Sequence, residues 1–112
     1  MKNTQNIPEN ICIIELIGRI DMNNAKEFEN IMTKPLVNPN YKTVIFDCEK
    51  LEYLASAGLR SLLFAMKDFQ QKKRNMVLCN VKKTIINVLD ISGFTKLFNI
   101  KNNLEEAIAL IK

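Results

Sequence analysis

Apolar runs of strand length alternate along the chain with stretches whose apolar positions recur every three or four residues. Ile11 to Ile17 is an isoleucine-rich run bounded by Asn10 and Gly18, and reads as a strand. From Asn23 to about Leu36, Ala25, Phe28, Ile31 and Met32 share one helical face. Asp21 or Asn23 is placed to cap that helix, and Pro35 and Pro39 to end it. Thr43 to Cys48 is β-branched and aromatic, as an interior strand requires. Helical spacing returns from Ser56 to about Lys72, through Leu59, Leu62, Leu63, Met66 and Phe69. Asn75 to Val81 reads as strand again. Thr84 to Ile91 reads as a short helix with Ile85, Val88 and Leu89 inward and Gly93 as its stop. Leu97 to Ile100 is a brief edge strand. Asn103, with Glu106 three residues on, opens a last helix striped by Ala107, Ile108 and Ile111.

This alternation predicts an α/β fold with right-handed crossovers: one mixed, mostly parallel sheet of four to five strands with about four helices. The 112 residues form a single domain, 1–112, whose residues 1–10 are expected to be a short or frayed N-terminal edge segment. A sheet of this kind gathers its working loops beyond the carboxyl ends of the strands. Here those loops are Gly18 to Asn24, Glu49 to Ser56, and Val81 to Thr84.

Composition narrows the function. With 47% hydrophobic and 25% charged residues, the chain builds its own core without metal or disulfide. No apolar stretch is long enough to span a bilayer, so a cytoplasmic protein with no direct membrane insertion is expected. Sixteen Lys and Arg against twelve Asp and Glu leave a formal charge of +4. The basic residues are scattered, and the one run, Lys72-Lys73-Arg74, follows a helix whose dipole it complements. No nucleic-acid partner is expected. Cys12, Cys48 and Cys79 are far apart in strand-like runs and read as buried, reduced thiols, with no metal site. There is no histidine and no glycine-rich phosphate loop. Nothing supports an enzyme or a bound cofactor.

The most informative stretch is Leu51-Glu52-Tyr53-Leu54-Ala55-Ser56-Ala57-Gly58-Leu59-Arg60. Ser56 stands at an expected N-cap, where its hydroxyl would accept from the amides of Gly58 or Leu59. Gly58 lies inside the first helical turn, where glycine costs roughly 1 kcal/mol against alanine. The small residues Ala55, Ala57 and Gly58 leave Ser56 without a bulky neighbour, open to a partner; alternatively, Gly58 serves only close helix packing. The free amides of a helix start also tolerate a phosphate. Asp21, in Gly18-Arg19-Ile20-Asp21, belongs to the same rim; its carboxylate would orient the Ser56 hydroxyl, repel a phosphate there, or simply cap a helix.

Three segments together resemble the STAS domain family, of the anti-sigma factor antagonist type. They are Gly18-Arg19-Ile20-Asp21, then Val44-Ile45-Phe46-Asp47 leading to Tyr53 through Arg60, and Val88-Leu89-Asp90-Ile91-Ser92-Gly93-Phe94. The resemblance implies a partner-switching protein that binds an anti-sigma factor with serine kinase activity. Ser56 falls on the phosphoacceptor serine, phosphorylation ends the complex, and a PP2C-type phosphatase restores it. Asp21, Asn23, Leu54, Ala55, Ala57, Gly58, Leu59, Ser92 and Gly93 are the implied phosphosite or partner-binding surroundings. Two positions depart from the family pattern: Ala55 stands where many members carry Asp, and Ala57 where a second hydroxyl residue is often found. Two other readings compete. One is a STAS accessory subunit of a membrane transport complex, with Ser56 only a cap. The other is a receiver-like phosphoaspartate domain built on Asp47, which lacks an acidic pair after the first strand.

Overall fold

The computed structural model describes residues 8–111. Most of the anticipated edge segment 1–10 lies outside that range; Pro8 to Asn10 form a turn, in which the Pro8 carbonyl accepts from the Ile11 amide. The strands are β1 (Ile11–Glu15), β2 (Gly18–Ile20), β3 (Thr43–Asp47), β4 (Leu51–Leu54), β5 (Asn75–Cys79) and β6 (Asn99–Lys101). The α-helices are α1 (Ala25–Thr33), α2 (Ser56–Gln71), α3 (Lys83–Ser92) and α4 (Leu104–Ile111). The main sheet has the order β1-β3-β5-β6, and every pair in it is parallel.

Alternation along the central strands explains the layers. Val44, Phe46 and Leu78 face one way, into a core shared with Phe28 and Met32 of α1, Leu62 and Phe69 of α2, and Leu89 of α3. Ile45, Val77 and Cys79 face the other way, against Ala107 of α4. Phe46 and Phe69 meet edge to face at 6.0 Å between ring centres. Because both faces are covered, β3 is wholly buried and its three inner residues, Val44, Ile45 and Phe46, are apolar.

The first expected strand is shorter than Ile11 to Ile17: β1 ends at Glu15, and the buried Leu16 turns the chain. Two segments expected as loops contain strands. Gly18–Ile20 pairs in parallel with Leu51–Leu54 as a separate two-stranded sheet, with an irregular register between Gly18 and Arg19. The expected α/β fold, with a parallel sheet of four strands and four α-helices, is thus present, and a separate two-stranded sheet is added to it.

Pro35 does not close the first helix into a loop. It opens a 3-10 turn, Lys34–Val37, that carries Leu36 into the core. The basic run follows α2, and its residues also make individual contacts. Lys72 pairs with Asp68 at 2.6 Å, and Lys73 takes a left-handed backbone (φ 58°) that ends α2. Arg74 reaches across to donate to the carbonyls of Leu36, Asn38 and Tyr41, at 3.3, 3.1 and 2.8 Å. Asn103 holds the start of α4 as expected, accepting from the Glu106 amide at 2.8 Å.

Candidate functional site

The chain stays extended through Ala55, because the Ala55 amide donates to the Ile20 carbonyl at 2.9 Å. Only then does it turn into α2. Ala55, not Ser56, is therefore the N-cap, with φ −84° and ψ 177°, and no side chain caps the helix. Ser56 is the first helical residue, and it is exposed. The expected bond from its hydroxyl to the amide of Gly58 or Leu59 is absent; the Leu59 amide donates instead to the Ala55 carbonyl at 2.9 Å. The hydroxyl at the mouth of α2 is thus not committed to a cap.

Gly58 has a packing reason. A Cβ there would stand 2.7 Å from the Ile20 carbonyl oxygen and 2.8 Å from both Ile20 Cγ2 and Leu54 Cδ1. The start of α2 rests directly on the two-stranded sheet. Ala55 and Ala57 are half-buried flanks of Ser56, while Leu54 is buried beneath it. Leu59 is half-buried against the core.

The loop after β2 is held by Asn24, which the sequence reading did not single out. Asn24 Oδ1 accepts from the Asp21 amide at 2.9 Å, and Asn24 Nδ2 donates to the Arg19 carbonyl at 2.7 Å. Asp21 does not cap α1. Its carboxylate accepts from the Asn23 amide at 2.9 Å, closing a local turn. Asn23 is exposed and also does not cap the helix, whose N-cap is Asn24. Since Ala55 is bonded to Ile20, Asp21 and Ser56 both leave the small sheet at the same end.

The small sheet and the loop that leaves it carry exposed side chains of mixed character, Glu52 among them. Met22 is 81% exposed and Tyr53 43% exposed. The Arg19 guanidinium lies 4.3 Å above the centre of the Tyr53 ring. Below the rim, a polar lattice ties the ends of β3 and β5. Asp47 is 3% exposed, and its carboxylate accepts from the Asn80 side chain at 3.0 Å and the Glu49 amide at 3.1 Å. Lys82 donates to the Glu49 carbonyl. A second residue missed in the sequence is Ser61, buried at the α1–α2 contact, whose hydroxyl lies 3.0 Å from the Ala25 carbonyl. Ser92 and Gly93 are not part of this rim. They close α3 at the end away from Lys83, where Gly93 takes φ 80° as the left-handed stop.

Residues 3–107 match the family described as STAS domain. The chain belongs to the STAS domain family. Over 112 residues this STAS domain is 33% identical to the Bordetella bronchiseptica protein named "Putative anti-sigma factor antagonist BtrV", covering all of this chain and 96% of that one. Its fold is similar to a sulfate transporter family protein from Wolinella succinogenes, with TM-score 0.81, 15% identity, and 93% and 86% of the two chains covered. It is also similar to the anti-sigma factor antagonist SpoIIAA in its unphosphorylated form, with TM-score 0.69, 19% identity, and 94% and 92% covered. A STAS fold thus serves proteins of different roles, and the site must supply the distinction. No helix among the described residues is long and apolar enough to cross a membrane.

The thiols have a structural setting. Cys48 and Cys79 are buried, and burial pushes each up to about 12, with Asp47 adding to both. Cys12 is half-buried and is raised by the same cause.

Proposed function

We propose that this STAS domain is an anti-sigma factor antagonist that exchanges partners according to the phosphorylation of Ser56. The observation that carries this reading is Ser56 itself, exposed at the first position of α2 with its hydroxyl capping no amide, at the end of the small sheet where the Asp21 loop also leaves. The relation to BtrV supports the same role. In the unmodified form, an anti-sigma factor with serine kinase activity docks on this rim. The kinase binds ATP, so this chain needs no cofactor and catalyses nothing itself. The γ-phosphoryl group passes to the Ser56 oxygen, and a PP2C-type phosphatase later removes it. All three proteins meet in the cytoplasm.

A phosphate adds about −1.5 to −2 charges at Ser56. The dipole at the start of α2 tolerates that charge, so the domain keeps its fold. The partner does not tolerate it, because docking would bury an unpaired phosphate. A hundredfold loss of affinity requires only about 2.7 kcal/mol. Asp21, leaving the small sheet beside Ser56, adds repulsion to the phosphorylated form.

Mass spectrometry after incubation with the kinase and Mg-ATP tests the assignment. One phosphate at Ser56, absent from Ser56→Ala, is the expected result. An unmodified Ser56 would favour the role of accessory subunit in a transport complex.

A further inference from the structure

Away from the Ser56 rim, an open cleft of about 600 Å³ lies between β1 and the segment that follows α1. Its wall is formed by Cys12 and Ile14 of β1, Ile31 of α1, and Pro35 and Val37 of the 3-10 turn. Val37 is 84% exposed and Ile31 39% exposed, so the wall presents apolar side chains to water. Small-molecule sites are commonly concave, apolar and of roughly this size, about 300–1,000 Å³, with few polar groups.

The polar groups at its rim decide what would fit. Among the described residues, Lys34 is the one cation lining the cleft, is exposed, and joins no ion pair. Among the described residues no carboxylate lines the cleft. Glu9 borders only an adjoining polar hollow that shares Asn38 and Tyr41 with it. An apolar wall with one unpaired cation at its edge suits an apolar body carrying one negative charge.

We propose that this cleft binds a free medium-chain fatty carboxylate, its chain against Ile14, Ile31 and Val37 and its carboxylate paired with Lys34. Burial that raises the Cys12 thiol reports the same low-polarity wall. None of the residues involved belongs to the Ser56 rim, so the proposal stands apart from partner switching.

The test is an amide NMR titration of the ¹⁵N-labelled full chain with decanoate below its micelle concentration, with 1-decanol and decyltrimethylammonium as parallel probes. Saturable shifts are expected at Cys12, Ile14, Ile31 and Val37. Decanoate should bind about fivefold or more tighter than the cationic probe, the size of an exposed ion pair. The surface variant Lys34→Glu should invert that order. Decanoate should also slow labelling of Cys12 by a thiol reagent. No saturable binding, shifts centred elsewhere, or equal binding of anionic and cationic probes that Lys34→Glu leaves unchanged would each overturn the proposal.

Discussion

A methyl group at Gly58 would stand 2.7 Å from the carbonyl oxygen of Ile20, an oxygen already engaged by the Ala55 amide at 2.9 Å. The oxygen cannot retreat without breaking that bond, and the helix cannot lift without losing its seat on Leu54. The absence of a side chain at 58 therefore fixes the height at which Ser56 emerges. A small residue that the sequence offers as open space for a partner is open space for the protein's own backbone.

Gly58→Ala should accordingly destabilise the domain, although alanine is the better helix former. The intrinsic preference favours alanine by about 1 kcal/mol. Overpacking typically costs about 1–3 kcal/mol, and more against immovable backbone. A net loss of about 1 kcal/mol or more is expected in denaturant unfolding. The control Ala57→Gly, at a half-buried flank, should lose only about the helix propensity.

Arg74 should matter far more than its two basic neighbours. Its guanidinium joins three carbonyls of the 36–41 segment, which a lysine ammonium cannot span in the same geometry. Arg74→Lys is expected to cost about 2 kcal/mol, in the range of hydrogen bonds to charged groups. Lys73→Ala should stay within about 0.5 kcal/mol, as exposed substitutions usually do. Thermal unfolding of the two variants side by side would show the contrast.

The buried thiols give the domain an alkaline weakness. Cys48 and Cys79 are pushed up to about 12 by burial, against an ordinary value of 9. Unfolded thiols ionise above pH 9 while the folded ones hold their protons, so the unfolded state then binds fewer protons. Stability is fully present below pH 9 and falls as pH rises from 9 towards 12, by up to about 1.4 kcal/mol per pH unit for each thiol. Denaturant unfolding from pH 8 to 11 should show that slope, and Cys48→Ala with Cys79→Ala should flatten it.

The main sheet is legible in the sequence because β1 and β3 are rich in β-branched residues, with Phe46 in β3, and β5 carries the apolar run Met76 to Cys79. The small sheet is not. Gly18–Ile20 has three residues, and in Leu51–Leu54 the two inner positions are exposed while both ends are buried, so no alternation appears. Ser56 was located to within one residue of its place in the helix. The shift from N-cap to first helical position arises from the Ala55–Ile20 bond, a contact between segments 35 apart in sequence that no local preference encodes. Asn24 differs, since its bonds to Asp21 and Arg19 are local, three and five residues away, and Asp21 and Asn23 offer equally good local capping patterns beside it. Ser92 and Gly93 entered through family resemblance, and the direction of α3 carries them away from the rim.

The most direct test of the switch is a calorimetric titration of the anti-sigma factor with two forms of this domain, unmodified and carrying phosphoserine at position 56. Circular dichroism and unfolding should first show that the two forms share one fold. A loss of affinity of about 100-fold, or about 2.7 kcal/mol, is expected on phosphorylation. Ser56→Ala should bind like the unmodified form. Equal affinity for the two forms, or a phosphoserine form whose weaker binding comes with a disrupted fold, would contradict the switch.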